Sequence, residues 1–310
     1  MSEKPRVMIV GSFNTDLAVR TPHIPVGGET ILGGGFITGP GGKGANQAVA
    51  AARLGADTSM LVKLGTDMFG DQAAENLQRE GISSQLLLRS SESHTGVAFI
   101  VVDDNGENMI VVAGGTNNLL SVADVEKART VIEQASVLLL QLEIPMEAVE
   151  QAIRIAHEAG VRVILNPAPG RDLDASLLSM VDVLTPNETE AQLITGMPVK
   201  SLEQAEAAAR QLVQTGVGAV VMTLGGKGAL VVTPEYVRHV PGKQVKVVDT
   251  TGAGDAFSGA LAVALAEKKE LVDAVAFANA AAALQVTRFG TAPVMPYRKE
   301  VLDLLTAEAL

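Results

Sequence analysis

The sequence predicts an α/β protein with a doubly wound, mainly parallel sheet flanked by helices and with a small antiparallel β lid. Three observations predict this fold class. Short apolar runs rich in Val, Ile and Leu alternate with longer Ala-rich segments of helical periodicity. Glycine follows the last periodic residue of most of these segments, and two stretches near the amino end interrupt the alternation.

Strands and crossover helices are expected along most of the chain, because apolar runs without polar alternation are typical of strands covered on both faces. The predicted strands are Val7–Val10, Met60–Leu64, Val137–Leu142, Val161–Leu165, Val181–Leu184 and Ala219–Leu224. The predicted helices are Gly44–Leu54, Asp71–Glu80, Val122–Gln134, Glu147–Ala159, Leu202–Gln214 and Ala256–Ala266. Glycine stops follow four of them, at Gly55, Gly81, Gly160 and Gly216. Right-handed crossovers then place ligand-binding loops at the carboxyl ends of the strands.

The lid is predicted from the two stretches that interrupt this pattern. Leu17–Thr38 is rich in glycine and proline and has no helical period, while Thr95–Ala113 contains two strand-like runs joined at Asn105-Gly106, a strong hairpin signal. The expected division is a core of residues 1–12, 40–93 and 117–310 and a lid of residues 13–39 and 94–116. A small sheet has little core of its own, so the same sheet of a second subunit is one candidate cover, which makes a homodimer the expected assembly.

Composition excludes several classes of function. The chain has 310 residues and 35 Asp+Glu against 24 Lys+Arg, a net charge of −11 that argues against nucleic acid or an anionic membrane as partner. No cysteine is present, so thiolate nucleophiles and Cys-ligated zinc are excluded, and the four histidines form no HExxH pair. No apolar run is long enough to span a membrane, and the cytoplasm is the expected location.

The first dense motif is Gly39-Pro40-Gly41-Gly42-Lys43-Gly44-Ala45-Asn46-Gln47, a glycine-rich loop that opens a helix. It formally matches G-x-G-x-x-G, but no clean buried strand precedes it, so the dinucleotide interpretation is weak. The phosphate-loop pattern fails because Gly44 follows Lys43. A tight turn feeding a helix is the plain alternative, while Lys43 and Asn46 favour contacts to hydroxyl or phosphate groups.

The second motif is Asp249-Thr250-Thr251-Gly252-Ala253-Gly254-Asp255, between a predicted strand that contains Val245, Val247 and Val248 and the helix from Ala256. The amides of Ala253, Gly254 and Asp255 would converge at the helix start as a nest for developing phosphoryl charge. The carboxylate of Asp255 is either an ordinary helix-start anion or the base that accepts a proton from an attacking hydroxyl.

Two further loops have both plain and functional interpretations. Thr185-Pro186-Asn187-Glu188-Thr189-Glu190 fits a capping box, yet Asn187 and Glu190 at a strand end could also hold Mg²⁺ and its waters. The loop Thr223-Leu224-Gly225-Gly226-Lys227-Gly228 connects two predicted strands, and its glycines leave space for a base or a phosphate.

Polar residues at strand ends indicate a sugar site. Asn14 and Asp16 lie on one side of an extended segment after the first strand, which suits the vicinal hydroxyls of a sugar. Glu143 follows another strand and supplies a third polar group. Each residue could instead cap the next element, but several polar groups and two glycine-rich helix starts make one shared site the better hypothesis.

These motifs resemble the ribokinase-like (PfkB) family of carbohydrate kinases over essentially the whole chain, from Gly11-Ser12-Phe13-Asn14-Thr15-Asp16 to Asp249–Asp255. The resemblance implies transfer of a phosphoryl group from ATP to the 5-hydroxyl of D-ribose, with Mg²⁺ on the nucleotide and K⁺ as activator. It also implies a doubly wound domain with a β lid that pairs into a dimer.

The resemblance implies a role for each motif residue. Asp255 is the implied base, with the amides of Gly252, Ala253 and Gly254 as anion hole. The implied sugar ligands are Asn14, Asp16, Gly42, Lys43, Asn46 and Glu143. The implied nucleotide site contains Asn187, Glu190, Thr223, Gly225, Gly226, Lys227, Gly228 and Asn279, with Glu190 near Mg²⁺. The implied K⁺ cage consists of Asp249 and the carbonyl groups of Thr251, Gln285, Arg288 and Gly290.

One position departs from the family pattern, and several substrates stay open. Val294 stands where the family often has a hydroxyl residue in the potassium loop, so a weaker dependence on K⁺ is expected. Deoxyribose is the nearest competing acceptor, ahead of other pentoses, ketohexoses and nucleosides. A non-catalytic sugar or nucleotide sensor and an NAD-dependent dehydrogenase are the alternatives from other classes.

Overall fold

The computed structural model describes residues 4–307, in which thirteen strands form two sheets. The strands are β1 Arg6–Val10, β2 Asn14–Thr21, β3 Phe36–Gly41, β4 Asp57–Gly65, β5 Leu87–Ser90, β6 Val97–Asp103, β7 Asn108–Ala113, β8 Val137–Leu140, β9 Arg162–Leu165, β10 Val183–Leu184, β11 Ala219–Thr223, β12 Gly228–Val232 and β13 Val237–Pro241. All six predicted strands are present, with ends shifted by a few residues.

The helices are α1 Lys43–Arg53, α2 Met68–Arg79, α3 Val122–Lys127, α4 Arg129–Glu133, α5 Met146–Glu158, α6 Ala175–Leu178, α7 Glu188–Thr195, α8 Leu202–Gln214, α9 Ala253–Ala266, α10 Leu271–Gln285 and α11 Arg298–Ala307. Gly55, Gly81, Gly160 and Gly216 all have positive φ angles just beyond helix ends, which confirms them as stops. None of these helices is long and apolar enough to cross a bilayer.

The central sheet has nine strands in the order β13-β12-β11-β10-β9-β8-β1-β4-β5. It is parallel from β10–β11 through to β5, and only the β11–β12 and β12–β13 pairs are antiparallel. The chain builds outward from β1 through β4 and β5, then returns to β8 on the other side of β1. The order therefore reverses between β1 and β8, and beyond such a reversal open α/β sheets form a ligand-binding crevice.

The second sheet has the order β3-β2-β6-β7 and corresponds to the predicted lid. Its β2–β3 and β6–β7 pairs are antiparallel, and the expected hairpin turn lies at 103–106 with Gly106 at a φ of 83°. The central β2–β6 pair is parallel, because each strand enters the lid after a strand of the core and runs in the same direction. The second sheet is thus mixed, with two antiparallel pairs joined by the parallel β2–β6 pair.

Two sequence-based predictions are wrong in detail. Residues 245–248 form no strand, since they follow the edge strand β13 with no partner strand beside them; Val247 and Val248 are exposed, and the Val248 amide donates to the Val286 carbonyl at 2.7 Å. The predicted helix Val122–Gln134 is divided at Ala128 into α3 and α4.

The helices α1, α9 and α10 pack together on one face of the central sheet. α9 and α10 are apolar on nearly all sides and are buried, so no amphipathic stripe marks them in the sequence. Gly259 of α9 faces α1: a Cβ there would lie 2.7 Å from the Cβ of Ala50 and 2.8 Å from the Gln47 carbonyl oxygen. This close approach fixes the distance between the amino ends of α1 and α9, which both face the crevice.

Candidate active site

The ends of β1 and β8 are joined by a polar contact at the point where the strand order reverses. The Ser12 hydroxyl donates to Glu143 Oε2 at 2.5 Å, and the Lys43 amide donates to the same oxygen at 3.0 Å. The Gly44 amide donates to Ser12 Oγ at 3.3 Å. Glu143 is therefore fixed by a strand end and by the amino end of α1 together.

The glycine-rich loop brings α1 against β2. Gly42 precedes α1 with a φ of 86°, and a Cβ at this position would lie 2.6 Å from the Asn14 amide nitrogen. A Cβ at Gly41 would collide with the carboxylate of Asp16. The loop residues that the sequence singled out therefore lie directly against Asn14 and Asp16, because only glycine leaves room for both.

Asp255 lies in the first turn of α9, where two side-chain amides of α1 bind its carboxylate. Asn46 Nδ2 donates to Oδ2 at 2.9 Å, and Gln47 Nε2 donates to Oδ1 at 3.0 Å. Gln47 Nε2 also donates to Asn166 Oδ1 at 3.0 Å, which links the pair to the end of β9. Asp255 is only 6% exposed, so these donors fix its carboxylate and leave little freedom of rotation.

One cation lies among several carboxylates in the crevice. Burial alone would lower the pKa of the Lys43 amine, but the carboxylates of Asp255, Glu143 and Glu190 outweigh burial and hold this pKa above its ordinary value. Lys43 is therefore a permanent positive charge facing three acidic residues.

Asp16 has the opposite surroundings. Burial raises the pKa of its carboxyl to about 6, a hydrogen bond from the Thr291 hydroxyl opposes this increase, and the carboxylates of Glu143 and Asp255 add to it. The Thr291 Oγ1 to Asp16 Oδ2 distance is 3.4 Å. Ionising Asp16 in the folded protein therefore costs free energy. Carboxylates kept at such positions are often ligand-binding groups.

The amino end of α9 offers free hydrogen-bond donors. Gly252 precedes the helix with a φ of 76°, and the Ala253 amide donates to the Thr250 carbonyl at 3.3 Å. Within residues 4–307 the amides of Gly254 and Asp255 have no hydrogen-bond partner, and the space above Gly254 is open. These donors and the helix dipole form a site suited to an anion beside the Asp255 carboxylate.

Asn187 and Glu190 form the capping box that their spacing predicts. Asn187 Oδ1 accepts from the Glu190 amide at 2.8 Å, and Glu190 Oε2 accepts from the Asn187 amide at 2.9 Å. Burial raises the pKa of Glu190, since the hydrogen bond from Asn187 and the charge of Lys43 compensate only in part. The described residues contain no group of three or more His, Asp or Glu side chains that could hold a metal ion.

The expected nucleotide residues are neighbours at the β10–β13 end of the sheet. Thr223 forms a parallel bridge with Asn187, and Gly228 pairs with Pro241. Asn279 Nδ2 donates to the Val240 and Pro241 carbonyls at 3.1 and 3.2 Å. The exposed residues Gly225, Gly226 and Lys227 form the turn between β11 and β12, above the buried Gly228 and Asn279.

The residues of the expected K⁺ cage also come together, with one difference. Asp249 Oδ1 accepts from the Thr251 amide and hydroxyl, and Oδ2 accepts from the Gly290 amide at 3.0 Å. Gln285 Nε2 donates to the Thr251 carbonyl at 3.2 Å and to the Gly290 carbonyl at 2.7 Å. The Gln285 side-chain amide thus binds two of the carbonyl oxygens that were expected to bind the cation. The Arg288 amide donates to the Gln285 carbonyl at 3.1 Å in the same turn.

Sequence analysis missed three residues of this network as site residues: Ser12, Gln47 and Asn166. All three are buried: Ser12 bonds to Glu143 and Gln47 bonds to Asp255, both predicted residues, while Asn166 reaches Asp255 only through Gln47. A buried glutamine on the Ala-rich face of α1 was the available signal, since an amide among alanines needs hydrogen-bond partners in the core.

Comparison with known proteins agrees with this geometry. The pfkB family of carbohydrate kinases matches residues 4–298. The chain belongs to the pfkB family of carbohydrate kinases. Curated relatives in this family include a ribokinase of Haemophilus influenzae, 42% identical over 297 residues that cover 96% of this chain and 97% of the relative. A deoxyribokinase of Salmonella typhi is 40% identical over 301 residues, 97% of this chain and 98% of the relative.

Solved structures of pfkB-type proteins share the whole architecture. Arabidopsis thaliana ribokinase complexed with ribose and ATP matches with a TM-score of 0.90 and 36% identity, covering 98% of this chain and 99% of that one. A ribokinase of Thermotoga maritima matches with a TM-score of 0.89 and 36% identity over 98% and 100% of the two chains. The fold class and carbohydrate-kinase activity predicted from the sequence are thereby confirmed.

Proposed function

We propose that this pfkB kinase transfers the γ-phosphoryl group of ATP to O5 of D-ribose, giving D-ribose 5-phosphate and ADP. The observation that carries the proposal is the Asp255 carboxylate, fixed by Asn46 and Gln47 within one helical turn of the unpaired amides of α9. A proton acceptor and a phosphoryl anion site are thus adjacent, which phosphoryl transfer to an alcohol requires.

The sugar is proposed to bind between the lid strand β2 and the amino end of α1. Asn14, Asp16, Lys43, Asn46 and Glu143 supply donors and acceptors there, and Gly42 allows the backbone to approach. Ring hydroxyls need both donors and acceptors, and a half-buried carboxylate such as Asp16 accepts strongly from a hydroxyl once water is excluded. The O5 hydroxyl would then lie beside Asp255.

The transfer step follows from the same groups. Asp255 orients the O5 hydroxyl and accepts its proton as the O5–phosphorus bond forms and the bond to the ADP oxygen breaks. The unpaired amide of Gly254, with those of Gly252 and Ala253 beside it and the unpaired Asp255 amide next in the helix, stabilises the charge on the phosphoryl oxygens. Lys43 adds a positive charge that the surrounding carboxylates keep protonated.

ATP is proposed to lie along the β10–β13 end of the sheet, against Asn187, the Thr223–Gly228 turn and Asn279. When bound, Mg²⁺ supplies charge neutralisation on the phosphates, and Glu190 is the residue placed to bind one of its waters. The half-buried Glu190 keeps one carboxylate oxygen in its capping bond, so it is suited to an indirect contact with the metal.

The lid is proposed as a separate small domain that covers the sugar and pairs with its copy in a homodimer. Exposed apolar side chains on its strands support this: Phe36, Ile37, Phe99, Met109, Ile110, Val111 and Val112. The proposed division of core and lid is the one expected from the sequence. The reaction is placed in the cytoplasm, where ATP is supplied.

Deoxyribose is the second candidate acceptor, because a deoxyribokinase is 40% identical to this chain. The two sugars differ by one hydroxyl group, and a site that hydrogen-bonds that hydroxyl discriminates strongly against its absence. Steady-state ADP release with each sugar, compared as kcat/KM, tests the choice. A higher kcat/KM for ribose, with ³¹P NMR showing a 5-phosphate, supports the proposal; a higher value for deoxyribose would replace it.

A further inference from the structure

We propose that the side-chain amide of Gln285 takes the place of the monovalent cation in this kinase, so that its nucleotide site is complete without K⁺. The resemblance to the family implied a K⁺ cage made by Asp249 and four backbone carbonyl groups. In this structure a neutral hydrogen-bond donor lies against two of those oxygens, the carbonyls of Thr251 and Gly290.

The orientation of the Gln285 amide follows from its neighbours. Its side chain is fully buried, and both groups that face it are carbonyl oxygens, which can only accept hydrogen bonds. The NH₂ end must therefore face them unless a cation separates the groups. In that orientation the Oε1 atom has no hydrogen-bond partner in the described chain, a cost that the two bonds of the nitrogen offset.

Two further groups near the expected cage are already hydrogen-bonded within the described chain. Val294, at the end of the loop, presents an apolar side chain, and its carbonyl oxygen accepts from the Arg288 guanidinium at 3.2 Å. Asp249 uses both oxygens on amide and hydroxyl donors of the two loops. Neutral donors thus already hold its carboxylate, and the Thr251 and Gly290 carbonyls are bonded to Gln285, so the residues do not fit a cage for K⁺.

The Gln285 amide links the two loops that a bridging cation would link. Thr251 is adjacent to Gly252, which precedes α9, and a Cβ at Gly252 would lie 3.3 Å from Gln285 Nε2. Gln285 therefore connects the 249–251 loop and the 288–290 loop directly behind the anion-binding turn. The Gln285 side chain therefore holds the backbone amides of α9 in position. Because it is part of the chain, it is present whatever the salt.

The test measures ADP release and ADP binding in buffers that contain either K⁺ or tetramethylammonium. For the unaltered protein we expect kcat and the Kd for ADP to change less than about twofold between the salts. For Gln285→Ala, which leaves the carbonyl oxygens unbound, we expect affinity and turnover to fall about tenfold in tetramethylammonium and to recover in K⁺. The exposed Gln134→Ala is the matched control and is expected to behave like the unaltered protein.

Two results would overturn the inference: strong activation of the unaltered protein by K⁺, or a Gln285→Ala variant equally indifferent to the salt. If Gln285→Ala does not fold, Gln285→Glu serves instead, because a carboxylate against two carbonyl oxygens makes the variant require a cation. The inference rests on the proposed kinase function, but it requires only the nucleotide site and not the identity of the sugar. The ADP Kd, measured by calorimetry without sugar, therefore separates its failure from an error in the assigned sugar.

Discussion

Replacing the half-buried carboxylate Asp16 by asparagine is expected to stabilise the unliganded protein while weakening sugar binding. Burial raises the pKa of Asp16 to about 6 from 3.8, so the native state holds the proton more tightly than the unfolded chain does. Stability falls as pH rises wherever the native state binds more protons. The loss begins near the unfolded pKa and is complete above the native one.

The size of the effect follows from these two values. Above pH 7 both states are ionised, and a difference of about two pKa units corresponds to about 3 kcal/mol. At pH 4.5 the carboxyl is mostly ionised in the unfolded chain and mostly protonated in the folded protein. The destabilisation caused by Asp16 is then about 1 kcal/mol. The free energy of unfolding of Asp16→Asn is therefore expected to exceed that of the unaltered protein by these amounts. Asparagine keeps an oxygen that can accept from Thr291, so packing changes little.

Urea unfolding at pH 4.5 and pH 8 measures this difference, with the exposed lid residue Asp104→Asn as control. The control is expected to change the free energy of unfolding by less than about 0.5 kcal/mol at both pH values. The sugar KM of Asp16→Asn is expected to rise, since a neutral amide accepts less strongly from a hydroxyl. A stability gain of Asp16→Asn at pH 8 no larger than that at pH 4.5 would refute the reasoning. Ionisation of Asp16 would then not destabilise the folded protein.

Three further substitutions test other parts of the site. Asp255→Ala is expected to lower kcat about 10³-fold with little change in the Kd for ADP, because a proton acceptor acts mainly in the transition state; steady-state kinetics and calorimetry measure this. Gly259→Val is expected to destabilise the protein by about 1–3 kcal/mol in urea unfolding, because the new side chain collides with Ala50 and separates α9 from α1. Gly42→Ala is expected to raise the sugar KM about tenfold in kinetic assays, since its Cβ would press on the Asn14 amide.

Each of these substitutions has a control and a result that contradicts it. Turnover of Asp255→Ala within tenfold of the unaltered enzyme would remove Asp255 from the proton transfer. For Gly259→Val the control is Ala207→Val at an exposed position of α8, which measures the cost of a β-branched residue in a helix. An equal loss of unfolding free energy in both variants would exclude the collision. Gly81→Ala has a similar φ of 78° but open space around it, so it should leave the sugar KM unchanged.

The sheet could be predicted from the sequence because parallel strands buried on both faces leave uninterrupted apolar runs. The ends of the strands were less certain, since the last apolar residue of a run, such as Leu142, can be buried by a loop as well as by the sheet. Helix α10 has no amphipathic stripe, because other elements cover nearly all of it, and periodicity gave no signal there. Residues 245–248 have strand composition but no neighbouring edge to pair with.

The candidate site could be predicted in outline because its residues follow strands or precede helices, where topology gathers them. What the sequence does not contain is the partner of each side chain. The amides of Asn46 and Gln47 meet Asp255 across more than 200 residues, through the packing of α1 on α9. Gln285 was assigned to the cage for its carbonyl group, and only the folded turn shows that its side chain holds the neighbouring carbonyls.

The charge balance of the crevice explains why the two helix starts matter. Glu143, Asp255 and Glu190 act on Lys43, Asp16 adds a further carboxylate beside Glu143 and Asp255, and a bare triphosphate would be repelled by this excess of negative charge among the described residues. The amino ends of α1 and α9 supply partial positive charge without adding a titratable group that the carboxylates could pair with and neutralise. Because Gly259 brings α9 against α1 and Gly44 brings α1 against the end of β1, the packing that closes the core also places both helix starts at the proposed phosphate site.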